Sequence, residues 1–193
     1  NPDEVTWPED LDPELPYPIK RLIAAGKLAN SKIFHTSQAD SKLSGMGTTM
    51  VCVLIEDDKA YVAHVGDSRA YLVRNGTIDQ VTGDHSLIND YIQQGILKPE
   101  EAEQHPLKHV ITRALGSNLK VEVDVKTVPL SGDDTFLLCS DGLSNLVNGQ
   151  EMKESGLDAA PDLESACGKL VELANDRGGD DNITIVLVSN TKK

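Results

Sequence analysis

Lys59-Ala60-Tyr61-Val62-Ala63-His64-Val65-Gly66-Asp67-Ser68-Arg69-Ala70-Tyr71-Leu72-Val73-Arg74-Asn75-Gly76 decides the fold. Two runs of small apolar, β-branched and aromatic residues flank a tight turn at Gly66–Arg69. Asn75-Gly76 then closes the second run with a strong hairpin signal. Upstream, the apolar run Met50-Val51-Cys52-Val53-Leu54-Ile55 reaches Lys59 through the short connection Asp57-Asp58. Connections this short join antiparallel strands. Strands are expected at about 50–56, 59–66, 69–74, 121–129, 134–140 and 183–189, with antiparallel pairing across Asp57-Asp58, across Gly66–Arg69 and at Asn75-Gly76.

Helical periodicity brackets these strands. Ile19, Leu22, Ile23, Gly26, Ala29, Ile33 and Phe34 share one face from Pro18 to about Gln38, and Pro18 suits a first turn. A second long helix is expected at about 161–176, with Leu163, Ala166, Cys167, Leu170 and Leu173/Ala174 inward and Gly178-Gly179 ending it. Residues 1–17 are acidic and rich in proline, without periodicity, and read as a loop or linker. Between strands, residues 85–120 carry short amphipathic pieces, one through Leu87, Ile88, Tyr91 and Ile92, another starting at Pro99-Glu100-Glu101-Ala102-Glu103.

Two aspartates lie at strand ends. Asp141 follows Thr135-Phe136-Leu137-Leu138-Cys139-Ser140, and Asp181 in Gly178-Gly179-Asp180-Asp181-Asn182 precedes Ile183-Thr184-Ile185-Val186-Leu187-Val188. Such placement can bring two carboxylates to one sheet edge, where oxygen ligands suit a hard cation such as Mg2+ or Mn2+. Asp-Gly and Asp-Asp-Asn are also ordinary turn sequences, so each motif alone fits a plain turn as well. A third acid, Asp67, sits in Val65-Gly66-Asp67-Ser68-Arg69.

Taken in order, Gly45–Thr49, Val65–Tyr71, Asp84–Leu87 (Asp-His-Ser-Leu), Thr112–Gly116 (Thr-Arg-Ala-Leu-Gly), Ser140–Leu143 and Asp181–Thr184 resemble the metal-dependent, PPM-type (2C-like) serine/threonine protein phosphatases in their bacterial form. The resemblance implies an α+β fold, a four-layer α-β-β-α sandwich with mainly antiparallel sheets. It implies hydrolysis of phosphoserine and phosphothreonine on proteins at a binuclear Mn2+ or Mg2+ centre, with a third ion in some members. Residues 18–193 then form a partial catalytic domain, and 85–120 is a flap over the substrate groove. Family members open with an Arg-bearing strand, an Asn-Glu-Asp motif and an Asp-Gly-x-Gly-Gly strand end. Nothing before Gly45 matches these, so the chain reads as lacking those N-terminal strands and is expected to be incomplete alone. A phosphoprotein-docking pseudophosphatase without turnover is the alternative, and a structural cation-binding β domain is a third reading.

By that resemblance Asp141 and Asp181 are metal ligands, and Asp180 is less favoured because the family's ligand directly precedes Asn. Asp67 matches the position of a third, weaker ion, with a turn-bracing salt bridge to Arg69 as its rival. For Arg69 and Arg113, structural pairing is favoured over phosphate contact. No histidine spacing marks a metal site; His64 reads as a core residue and His85 as the best candidate for a place beside the site. Two cations about 3.5–4 Å apart neutralise a phosphomonoester and acidify water between them, so no catalytic group beyond the metal ligands is assigned.

Composition narrows the partners. A formal charge of −13 argues against nucleic acid, and no apolar run approaches the ~20 residues that span a bilayer. Cys52, Cys139 and Cys167 lie in apolar contexts without Cys-x-x-Cys, the pattern of reduced, buried thiols. The expected partners are phosphorylated proteins and a cognate serine/threonine kinase, with a cytoplasmic location. Cys139 lacks the glycine-rich, Arg-ended anion loop of a cysteine phosphatase.

Overall fold

The computed structural model describes residues 7–8, 11–102 and 105–190. Much of the 1–17 stretch, and Glu103 of the second short helix, lie outside the described residues. The chain runs α1 (Tyr17–Ala39), β1 (Met50–Glu56), β2 (Lys59–Val65), β3 (Arg69–Arg74), β4 (Thr77–Gln80), α2 (Leu87–Gln93), α3 (Pro99–Ala102), β5 (Asp124–Pro129) and β6 (Asp134–Cys139). It continues with α4 (Asp141–Ser144), α5 (Gly149–Glu151), a π turn (Met152–Leu157), α6 (Leu163–Asp176) and β7 (Ile185–Asn190). Two antiparallel sheets result, ordered β1-β2-β5 and β4-β3-β6-β7.

Side-chain alternation explains why these sheets stack. Successive strand residues point to opposite faces, and both faces of the central strands are apolar. Ala60 and Val62 of β2 meet Ala70 and Leu72 of β3 and Phe136 and Leu138 of β6 between the sheets. Ala63 and Val65 point the other way, onto Leu22, Ile23, Ala29 and Ile33 of α1. Tyr71, Leu137 and Cys139 face Leu170 and Ala174 of α6 together with Leu143, Val147 and Met152. Three apolar seams therefore bind four layers, α-β-β-α. Phe136 has no exposed surface, and losing such a ring costs about 3–5 kcal/mol.

α1 carries one polar residue into its seam. Asn30 is 1% exposed, and its amide donates to the carbonyls of Asn118 and Leu119 at 3.0 and 3.1 Å while accepting from Gly116 N at 2.7 Å. A buried amide is tolerated only when satisfied in this way. It ties the far end of the 85–120 stretch to α1. No helix among the described residues is long and apolar enough to cross a membrane.

Two strand expectations need correcting. β2 and β3 do not pair across Gly66–Arg69; β2 pairs with β1 and β5, and β3 with β4 and β6. The turn carries the chain from one sheet to the facing one. Gly66 adopts φ +106, and a Cβ there would lie 2.4 Å from Thr49 Cγ2, so the crossover needs both the conformation and the small size of glycine. β4 is the second correction: Thr77-Ile78-Asp79-Gln80 forms an edge strand that its single apolar residue did not announce. The hairpins at Asp57-Asp58 and Asn75-Gly76 form as expected, with positive φ at Asp57, Asn75 and Gly76.

Candidate metal centre

β6 ends at Cys139, Ser140 turns the chain, and Asp141 opens the single turn of α4. The segment entering β7 lies alongside. Ser140 joins the two: its amide donates to Thr184 O at 3.1 Å, and its hydroxyl donates to Asn182 O and accepts from Thr184 N, both at 3.0 Å. Gly142 permits the approach, since a Cβ there would stand 2.4 Å from Asn182 O. Asp141, Asp180 and Asp181 consequently line one pocket of about 270 Å3, with Lys108, His109 and Asn145 on its other walls. Asp181 Oδ1 also accepts from Asn182 N at 2.6 Å, which orients its carboxylate.

Asp67, on the crossover between β2 and β3, feels this cluster. Its carboxyl is pushed above the ordinary range, first by burial and next by the negative charge of Asp141. Like charges gathered in partly desolvated surroundings are costly unless a cation joins them. The salt bridge considered between Asp67 and Arg69 does not form. Arg69 instead forks onto Asp84, with Nε 3.0 Å from both carboxylate oxygens and Nη2 2.6 Å from Oδ2. Burial alone would lower the Arg69 pKa, but that bidentate grip prevails and raises it. No ion pair to Asp67 forms among the described residues.

A second cluster sits beside the crossover. His64 and His85 stack with ring centroids 4.6 Å apart, and with Asp124 they bring three potential donor atoms within 4.8 Å. Three of the four ring nitrogens have protein partners. His64 Nε2 donates to Gly83 O at 2.7 Å, and His85 Nδ1 accepts from Gly66 N at 3.0 Å. That acceptance puts the neutral ring's proton on Nε2, which faces Asp124 Oδ2 at 3.3 Å. Arg113 supplies the cation, with Nη1 2.6 Å from Asp124 Oδ1. Desolvation by burial lowers the His85 pKa, in keeping with a neutral ring. Burial pushes the Asp124 pKa up, but hydrogen bonds from Arg113 and His85 outweigh it and leave the carboxyl below its ordinary value. The cluster is an ion-paired joint, and Arg113 is bound structurally.

Cys139 is excluded as a nucleophile on physical grounds: burial pushes its thiol up to about 12, although Arg69 pulls the other way. Lys108 and His109 escaped the sequence reading because they approach the acids only through the fold, whereas Asn145 sits one helical turn after Asp141. Lys108 and Asn145 also line a neighbouring groove of about 780 Å3, bounded by Arg69, Asp84, Asn89 and Glu151. The pocket of acids thus opens onto a larger polar cleft beneath the 85–120 insertion.

Residues 19–90 match the family model described as Protein phosphatase 2C. The serine/threonine phosphatase stp of Listeria monocytogenes serotype 4b (strain F2365) is 43% identical over 159 residues, covering 82% of this chain and 63% of that protein. The crystal structure of serine/threonine phosphatase Stp1 from Staphylococcus aureus superposes with TM-score 0.85 at 33% identity, covering 96% of this chain and 72% of that one. The catalytic domain of the phosphatase PstP, crystallised with two manganese ions, gives TM-score 0.81 at 33% identity, covering 95% and 76%. The chain spans just under two thirds of the length of the curated relatives it matches.

Proposed function

This chain belongs to the protein phosphatase 2C family, and we propose that it forms part of the catalytic domain of a metal-dependent enzyme hydrolysing phosphoserine and phosphothreonine on proteins. One observation carries the proposal: Asp141 and Asp181 share a pocket that Lys108 and His109 also line. Carboxylates that would hold hard cations beside basic side chains suit a phosphate dianion. The oxygen-only acids fit Mn2+ or Mg2+.

Asp141 and Asp181 would hold two divalent cations and Asp67 a third, weaker one; bound there, the ions would supply charge neutralisation at the phosphate and a more acidic water. Ser140 and Gly142 set the spacing of the two carboxylate segments. Lys108, which lines the same pocket, would pair with phosphate oxygens, and the 85–120 insertion acts as the flap over the cleft that takes the flanking peptide. Phosphorylated proteins in the cytoplasm, supplied by a serine/threonine kinase, are the substrates.

The test is phosphate release from phosphoserine and phosphothreonine peptides by the full-length gene product, with Mn2+ and with chelator. Release that requires Mn2+ and fails in Asp141→Asn supports the reading. Phosphopeptide binding without release at saturating Mn2+ would overturn it in favour of a docking role.

A further inference from the structure

His85 occupies a junction that the metal reading leaves unused. It contacts Gly66, the residue before Asp67, twice: its amide donates to Gly66 O at 3.0 Å, and its Nδ1 accepts from Gly66 N at 3.0 Å. Its own carbonyl accepts from Thr112 N at 2.9 Å, on the returning strand of the insertion. There Ser86 and Ile111 form an antiparallel bridge, and Leu87 N donates to Val110 O at 2.9 Å. His85 is 7% exposed, and its ring faces Asp124 on the far side, which Arg113 holds in turn. The base of the insertion, β5 and the crossover carrying Asp67 therefore meet at one ring.

The chemistry of each partner assigns a direction to this chain. Gly66, at φ +106, has wide conformational freedom, so the crossover holds one shape only if its peptide groups are fastened. The Thr49–Ser68 hydroxyl bond, 2.8 Å, fastens the turn on the far side of Asp67. On the near side the fastening is His85. Asp124 selects the tautomer by taking Nε2–H, which leaves Nδ1 as the acceptor that Gly66 N–H needs. A buried amide without that acceptor is left unsatisfied and turns to find another partner.

We propose that His85 is a positioning residue: by accepting the Gly66 amide at Nδ1, it holds Asp67 toward Asp141 and couples the base of the 85–120 insertion to the cation-binding turn. The proposal rests on the reading of Asp67 as a cation ligand. Three variants of the full-length protein test it. Asn places Oδ1 close to the position of His Nδ1, whereas Gln places its polar atoms near Nε2. His85→Asn should keep Gly66 N–H protected from hydrogen exchange and keep the half-saturating Mn2+ concentration within about threefold of wild type. His85→Gln should speed exchange at Gly66 and Asp67 at least tenfold and raise the Mn2+ requirement by a similar factor. A purely structural histidine would lower the melting temperature in both variants and leave the Mn2+ requirement unchanged in both, which would sink the idea. Asp67→Asn, run alongside, separates the two claims. If it raises the Mn2+ requirement and His85→Gln does not, the positioning role is wrong and the ligand reading stands. If neither variant changes the requirement, the ligand reading fails, and equal Gly66 exchange in the Asn and Gln variants then overturns the positioning role too.

Discussion

Replacing Gly142 by Ala tests how the two carboxylate segments are held together. A methyl at Gly142 would lie 2.4 Å from Asn182 O, 2.9 Å from Asn182 C and 3.4 Å from Asp181 C. Ordinary contact begins at 3.4 Å, so the 181–182 backbone must retreat by about 1 Å. It cannot swing away freely, because Ser140 bonds Asn182 O and Thr184 on the same side. The strain is shared, and overpacking of this kind costs about 1–3 kcal/mol. For a domain of this size that lowers Tm by roughly 2–12 °C, leaving the protein folded at 25 °C. The effect on chemistry is comparable in energy and far easier to read in an assay. Mg2+ demands ligands at about 2.0–2.1 Å, and a misplacement near 1 Å can cost about 10²-fold, equivalent to about 2.7 kcal/mol in the barrier. The assay is phosphate release by the full-length protein at saturating Mn2+, with calorimetry on the same sample. Gly149→Ala in α5 is the control, because its Cβ would meet Tyr71 Cε1 at an ordinary 3.5 Å. Activity within threefold of wild type in Gly142→Ala would refute the claim that this contact sets the carboxylate spacing.

Other substitutions separate charge from architecture. Asp141→Asn and Asp181→Asn should each cut turnover at least about 10²-fold while the chelated proteins melt no lower than wild type, as Asp67 is relieved of a like charge in the first case; a large fall in Tm would mean the acids serve the fold instead. Asp67→Ala should raise the Mn2+ requirement with Tm little changed, because Arg69 is already satisfied by Asp84, and a Mn2+ titration beside a thermal melt decides it. Asp134, with no exposed surface, accepts from Arg74 and from Ser131 N; Asp134→Ala should cost about 2–4 kcal/mol by urea unfolding, below the full buried-pair penalty because Arg74 is 29% exposed. Hydrogen bonds from Arg74 depress the Asp134 pKa, and those from Arg177 and the Asn148 amide bring Glu151 to about 2. Depressed folded values mean stabilisation that is fully present above the unfolded values of 3.8 and 4.5 and is lost as pH falls through the folded ones. Stability measured from pH 6 down to 2 should therefore fall with acid, and Asp134→Asn should flatten that slope.

Local pattern revealed the strands because both faces of β2, β3 and β6 are apolar, so their runs stand out whatever they pack against. It misled at Gly66–Arg69, where a short turn was read as a hairpin. A glycine at φ +106 can as easily lift the chain from one sheet to another, and only the packing of Ala60 and Val62 against Ala70 and Leu72 decides which. β4 was announced only by the Asn75-Gly76 turn, because an edge strand needs little apolar surface. Asp141 and Asp181 were read as candidate ligands from strand ends and from the family likeness, and Asp67 from the likeness alone. The partner of Arg69 was not: nearness in sequence suggested Asp67, but the side chain runs across the sheet to Asp84, fifteen residues on. Lys108 and His109 come to the acids from a separate insertion, a relation that no local pattern encodes.

The bridge between Ser86 and Ile111 has an evolutionary implication. The 24 residues between them start and finish side by side, and the sandwich meets them at those ends, at buried Ile88, at the Asn89 bond to Asp84 O and at Lys108 and His109 in the acid pocket. Closing a loop costs free energy that rises slowly with its length, about 0.6 kcal/mol per doubling. Drift, lengthening or wholesale exchange within this stretch can therefore proceed while the acids on the β6 and β7 edges stay where they are. Target preference and chemical step can diverge on separate clocks, and grafting a foreign 90–107 segment, which keeps Asn89, Lys108 and His109 in place, is a direct way to redirect it.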